Sequence, residues 1–134
     1  MVCTYCGCNT RVTNSRLQKR LNRVWRRRKC DGCNCILTSV ESTDLPSTFI
    51  YKNDSGRLEP FQRDKLFLSI YASLKHRTTA QKDATALTDT VIGKLTAAAK
   101  DANLPRGRIV EATTEVLKRF DKAAYSSYVA YHPL

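Results

Sequence analysis

Six cysteines in a chain of 134 residues fall into two copies of one pattern, Cys3-x-x-Cys6-x-Cys8 and Cys30-x-x-Cys33-x-Cys35. A Cys-x-x-Cys turn converges two sulfurs on one point, and two such turns supply the four thiolates of a closed tetrahedral zinc site. The spacing predicts one structural zinc per chain on Cys3, Cys6, Cys30 and Cys33. Cys8 and Cys35 read as small, partly buried apolar residues beside it. Gly7 and Asn34 follow the second cysteine of each pair, and both residue types tolerate the left-handed backbone that a tight metal-binding turn often needs. A disulfide framework is the competing reading of the six thiols. No apolar leader stands ahead of Cys3, which favours the metal.

Four thiolates leave such an ion no open position for a reactive water. The chain has no phosphate-binding glycine loop, no Gly-x-Gly-x-x-Gly and no Gly-x-Ser-x-Gly. Its two histidines, His76 and His132, both follow the cysteine pairs, whereas a zinc deaminase needs a His-x-Glu ahead of them. Catalysis is therefore not expected. The formal charge of +11 is uneven: Arg11, Arg16, Lys19, Arg20, Arg23, Arg26, Arg27, Arg28 and Lys29 face the single acid Asp31 within the first 35 residues. Such a bias predicts a polyanionic partner, steered at long range and weakened by salt. No apolar run is long enough to cross a membrane.

The elements that must carry these residues are legible in outline. Two antiparallel strands joined by a basic turn around Lys19 fit the stretch between the cysteine pairs. Period-two alternation sends Arg26 and Arg28 to one face and Trp25, Arg27 and Lys29 to the other. Ile36–Glu41 is β-branched enough for a third strand, and Ser42–Ser47 reads as a linker. A strand from Thr48 to Lys52, turn residues Asn53–Gly56 and a return over Arg57–Glu59 predict a hairpin. Apolar residues at Phe67, Ile70, Tyr71 and Leu74 predict a helix over Phe61–His76, and a second spans Ala80–Ala102, closed by Asn103 and Pro105. Ile109, Thr113, Val116, Leu117 and Phe120 give a third. Asp121 caps a fourth that carries Ala124, Tyr125 and Tyr128. The fold class is α+β: a small antiparallel zinc ribbon over residues 1–45, then a mainly helical domain over 46–134 with a hairpin and about four helices.

Several local sequences match one family in order. Val12-Thr13-Asn14-Ser15-Arg16, Arg26-Arg27-Arg28-Lys29-Cys30 and Thr38-Ser39-Val40-Glu41 resemble segments of the zinc ribbon of NrdR-type bacterial repressors of ribonucleotide reductase genes. Lys52-Asn53-Asp54, Glu59-Pro60-Phe61 with Lys65-Leu66, and Leu117 to Tyr125 resemble the opening and closing of that family's ATP-cone. The resemblance runs from Cys3 to about Tyr131. It implies a cytoplasmic, nucleoid-associated homo-oligomer that binds double-stranded DNA through Arg11, Arg16, Lys19, Arg26, Arg27, Arg28 and Lys29. It also implies ATP or dATP as a regulatory ligand, on Ile50, Lys52, Asn53, Glu59, Lys65, Tyr125 and Tyr128. Lysines 52 and 65 would meet the phosphates, Ile50 and Glu59 the base or ribose, and the two tyrosines would wall the pocket.

Two departures stand out. Asn53 replaces an arginine in a hairpin one residue longer than usual, which removes one phosphate-pairing cation. The ending reads Tyr131-His132-Pro133-Leu134 where the family has Val-Tyr. Two other readings follow from the residues: a zinc-ribbon module whose helical domain only oligomerises, and a single-strand or RNA binder that stacks bases on Trp25 and Tyr5.

Overall fold

The structure, a computed structural model, describes residues 1–132. Pro133 and Leu134, half of the departing terminus, lie outside the described residues. The chain divides into two compact units, Met1–Thr43 and Asp44–Leu134.

The first unit is a three-stranded antiparallel sheet in the order β1 (Thr10–Gln18), β2 (Arg23–Cys30), β3 (Ile36–Ser42). A single 3-10 turn over Lys19–Leu21 joins β1 to β2, and Asn22 closes it in the left-handed region at φ 46°. In this unit only Cys3 and Cys30 are buried, at 2% and 0% exposure. One small sheet layer covers no apolar core, so its stability has to come from the strand ladders and from whatever clamps the two cysteine turns.

A bulge interrupts β1. Val12 pairs with Arg28 and Asn14 with Arg27, which leaves Thr13 as an extra residue. Strict alternation would put Arg11 and Arg16 on opposite faces. The bulge reverses the alternation beyond Thr13, so both lie on the face of Trp25, Arg27 and Lys29.

In the second unit β4 (Ile50–Lys52) and β5 (Leu58–Pro60) form the hairpin, preceded by one helical turn, α1 (Leu45–Thr48). Four longer helices follow: α2 (Arg63–Leu74), α3 (Ala80–Ala98), α4 (Arg106–Phe120) and α5 (Lys122–Tyr131). The expected linker is mostly structured. Ser42 belongs to β3, and the turn of α1 forms around Pro46, with Asp44 accepting from the Ser47 hydroxyl at 2.8 Å.

Helix α3 ends four residues short of Ala102, and Asn103 is no left-handed cap. Instead the Ile50 N–H donates to the Ala102 carbonyl and the Leu104 N–H to the Ile50 carbonyl, both at 2.9 Å. These two bonds place Asn103 in a parallel bridge beside Ile50 of β4, and the chain bends over residues 100–102 to reach it instead of continuing the helix. Helix α2 likewise starts later than expected, because Phe61 is tied to Phe49 by a 2.9 Å backbone bond.

The core takes Leu66, Ile70 and Leu74 from α2, Ala84, Leu87, Val91 and Leu95 from α3, Val110, Val116 and Leu117 from α4, and Ala124 and Tyr128 from α5. Phe67 and Tyr71, expected in the stripe, are half-buried and stack on each other with centroids 5.9 Å apart. Asp121 caps α5 as predicted: its Oδ1 accepts from the N–H groups of Ala123 and Ala124 at 2.8 and 3.0 Å. Each of the buried hydroxyls of Ser73, Thr88 and Thr113 donates to a carbonyl four residues back.

Candidate functional site

The sulfurs of Cys3, Cys6, Cys30 and Cys33 all lie within 4.8 Å of one another. Cys3 Sγ is 3.7 Å from Cys33 Sγ, and Cys6 Sγ is 3.4 Å from Cys30 Sγ. Four sulfurs each about 2.3 Å from a zinc ion would sit roughly 3.8 Å apart at the corners of a tetrahedron. The cluster therefore suits a structural zinc.

The local backbone prepares the sulfurs for it. The Tyr5 N–H donates to Cys3 Sγ at 3.4 Å, and the N–H groups of Gly32 and Cys33 donate to Cys30 Sγ at 3.3 and 3.4 Å. Gly7 and Asn34 both adopt the left-handed backbone, at φ 75° and 61°. Cys6 is lowered to about 6, first by the backbone N–H of Cys8 and then by the neighbouring thiols. At Cys33 the Cys35 N–H favours the thiolate, yet the surrounding thiols push the group up overall. Four thiolates this close repel one another, and a dication at their centre removes that repulsion.

Cys35 is half-buried as expected, whereas Cys8 is exposed; both stand outside the cluster and close its turns with their carbonyls. Cys3 N–H donates to the Cys8 carbonyl at 2.8 Å, and Cys30 N–H donates to that of Cys35 at 3.0 Å. The Cys8 side chain also packs on the opposite turn. A Cβ added to Gly32 would fall 2.6 Å from Cys8 Sγ, so any larger residue there would have to displace the Cys8 side chain.

Cross-strand pairs share a face. Arg27 pairs with Asn14 and Thr38, Trp25 with Arg16 and Val40, and Lys29 with Arg11 and Ile36. The Arg16 guanidinium lies 6.0 Å from the Trp25 ring. This face carries Arg11, Arg16, Arg23, Arg27 and Lys29; Arg11 has an ion pair at 3.2 Å with Asp31, and both side chains are more than half exposed. The opposite face holds Arg26 and Arg28 among Val12, Leu17, Val24 and Leu37. There Arg26 is paired with Glu41, and Arg28 Nε donates to Ser39 Oγ at 2.9 Å. Lys19 lies on the exposed turn at the end of the sheet.

In the helical unit a pocket of about 240 Å³ opens between the hairpin, α2, α4 and α5. Of the residues expected to hold a nucleotide it brings together Asn53, Lys65 and Tyr128. Ile50, Lys52, Glu59 and Tyr125 are not in its lining. Glu59 acts from behind: its carboxylate accepts from Tyr51 at 2.8 Å, from Asn53 Nδ2 at 2.8 Å and from Lys65 at 2.9 Å. The Lys65 bond, then Tyr51 and Asn53, hold its carboxyl down to about 2. Lys65 is raised by the same pair.

Asn53 is more than a missing cation. Its Oδ1 accepts from Ser55 N, Ser55 Oγ and Arg57 N at 3.0, 2.7 and 2.8 Å, so it organises the hairpin turn. Tyr125 lies half-buried under Lys118, whose Nζ is 5.9 Å from the ring.

The sequence reading did not single out Tyr51, Ser69, Arg106 and His132, which also line the pocket. His132 stacks on Tyr128 with centroids 4.2 Å apart, and its Nε2 lies 3.2 Å from Ser69 Oγ. No short motif marks these four, because they meet only when the hairpin, α2, α4 and α5 pack. A second groove of about 640 Å³ runs along the end of α3 and the start of α4, lined by Ala97, Ala98 and Ala112 and rimmed by the Lys94–Glu115 ion pair. It contains none of the residues the resemblance selects.

A four-cysteine ribbon with a cationic sheet face, followed by a helical unit with a hairpin-edged pocket, defines the architectural class. No protein-family model matches the chain. Curated proteins do. It is 31% identical over 132 residues to the transcriptional repressor NrdR of Symbiobacterium thermophilum, covering 98% of this chain and 87% of that one. It is 32% identical over 133 residues to the proteins of the same name from Anaplasma phagocytophilum and Aromatoleum aromaticum, covering 98% of this chain and 86% and 77% of theirs. The chain belongs to the NrdR family of transcriptional repressors. The name those relatives carry is that of a regulator, not of an enzyme.

Proposed function

We propose that the chain is a cytoplasmic, nucleotide-responsive transcriptional repressor without catalytic activity. The zinc ribbon binds promoter duplex through the face of Arg11, Arg16, Arg27 and Lys29, and the helical unit takes ATP or dATP and changes the assembly of the homo-oligomer. Ribonucleotide reductase genes are the targets that the family resemblance suggests. The observation that carries the reading is similarity along 98% of the chain to proteins named as this repressor, covering both units together. The cationic sheet face and the pocket beside Lys65 and Tyr128 support the two halves separately. Among the described residues no helix is long and apolar enough to cross a membrane.

The test is the mass of the purified, zinc-loaded protein in solution without nucleotide, with ATP and with dATP. A shift in assembly with either nucleotide is expected. Unchanged mass and no nucleotide binding, with duplex binding retained, would leave a ribbon module whose helical unit serves only oligomerisation.

A further inference from the structure

The cations beside the helical unit's pocket are not equally free to meet an anion. Lys65 is matched by Glu59, a carboxylate held in place by three donors. Arg106 has a different partner. Its Nε lies 2.9 Å from Asp54 Oδ1 on the hairpin turn, and the two side chains are 39% and 83% exposed. Water solvates so exposed a pair, which makes it worth little. Arg106 can exchange Asp54 for a better anion without stranding a buried charge.

Arg106 is also well placed and well shaped for phosphate. Its planar fork of donors matches phosphate oxygens in pairs, which a lysine cannot do. It opens α4, a helix of 15 residues that starts directly after Pro105 and contributes Arg106, Ile109 and Val110 to the pocket. Asn53, the position where an arginine is missing, keeps its side chain in the hairpin turn. Among the described residues the lining therefore holds one forked cation, Arg106, together with Lys65.

We propose that Arg106 takes the phosphate chain of the bound adenine nucleotide, and that Asp54 is the resident anion which the phosphates displace. The proposal rests on the nucleotide reading above. It makes the two partners of one ion pair act in opposite directions: loss of Arg106 removes a phosphate contact, whereas loss of the Asp54 charge removes a competitor.

Calorimetric titration of the full, zinc-loaded chain with AMP, ADP and ATP tests it, using wild type, Arg106→Gln, Arg106→Lys and Asp54→Asn, each first shown to unfold at the wild-type temperature. Arg106→Gln should weaken ATP about ten- to a hundredfold, with a smaller loss for AMP. Arg106→Lys should fall between it and wild type. Asp54→Asn should tighten ATP by roughly two- to fivefold. Wild-type affinity for ATP in Arg106→Gln, or equal losses for AMP and ATP, would overturn this assignment and leave the nucleotide reading standing. A wild type that binds none of the three, and not dATP either, would remove both.

Discussion

Arg27 and Arg26 are neighbours of the same type, yet they should respond differently to salt. Arg27 projects from the face that also carries Arg11, Arg16 and Lys29, whereas Arg26 projects from the other face and is paired with Glu41. If one ribbon neutralises four phosphates with the first set, the log–log salt slope of duplex affinity is about −3.6. Raising salt from about 50 to about 200 mM then weakens wild type roughly 150-fold. Arg27→Ala removes one contact, brings the slope to about −2.7 and reduces that loss to roughly 40-fold. Arg26→Ala should leave the slope unchanged, since Arg26 lies on the opposite face and is already paired with Glu41. Fluorescence anisotropy of a labelled duplex over a salt series separates the slopes. Equal slopes for Arg27→Ala and Arg26→Ala, or a slope lowered more by Arg26→Ala, would refute the assignment of the DNA-facing side.

Cys30→Ser should lose zinc and duplex binding together, while Cys8→Ser and Cys35→Ser keep one zinc per chain. Metal analysis of the purified variants decides it, and zinc loss from either of the last two would overturn the ligand set. Ile70, fully buried in the helical core, should cost about 2 to 5 kcal/mol of that unit's stability as Ile70→Ala. Denaturant unfolding measures the loss, and zinc content should not change. Glu59 is held down to about 2, first by Lys65, and Asp121 is held below the usual carboxylate range, first by the Ala124 N–H and then by His76 and Arg77. Both are depressed by folding, so their stabilisation is complete above an unfolded value of about 4 and is lost as pH falls toward their folded values. The thermal midpoint of the helical unit should therefore fall between about pH 4.5 and 2, and fall less in Asp121→Asn. A midpoint insensitive to pH in that window would contradict the ion-pair account.

What was legible in the sequence is what depends on near neighbours. The cysteine spacing gives the four converging sulfurs, Gly7 and Asn34 take the left-handed backbone that their types suggest, and Asp121 caps α5 through the two N–H groups that follow it. What was not legible depends on pairing across the chain. No local rule signals the bulge at Thr13, yet it decides that Arg11 and Arg16 share a face. The early end of α3 follows from a bond between Ile50 and Ala102, 52 positions apart in numbering. Arg106 and His132 join Lys65 only through the packing of α2, α4 and α5. Asn53 looks like a lost cation in a motif comparison, and its three accepted bonds in the hairpin turn become visible only in three dimensions.

The central claim, that this zinc ribbon binds DNA under control of a nucleotide held by the helical unit, is tested most directly by one titration. The zinc-loaded protein is added to a labelled duplex from a ribonucleotide reductase promoter, with no nucleotide, with ATP and with dATP, at one fixed salt concentration. The account predicts that the apparent Kd differs between the nucleotide conditions, and that Arg106→Gln reduces the difference while leaving the nucleotide-free Kd unchanged. Identical binding curves in all three conditions would contradict it.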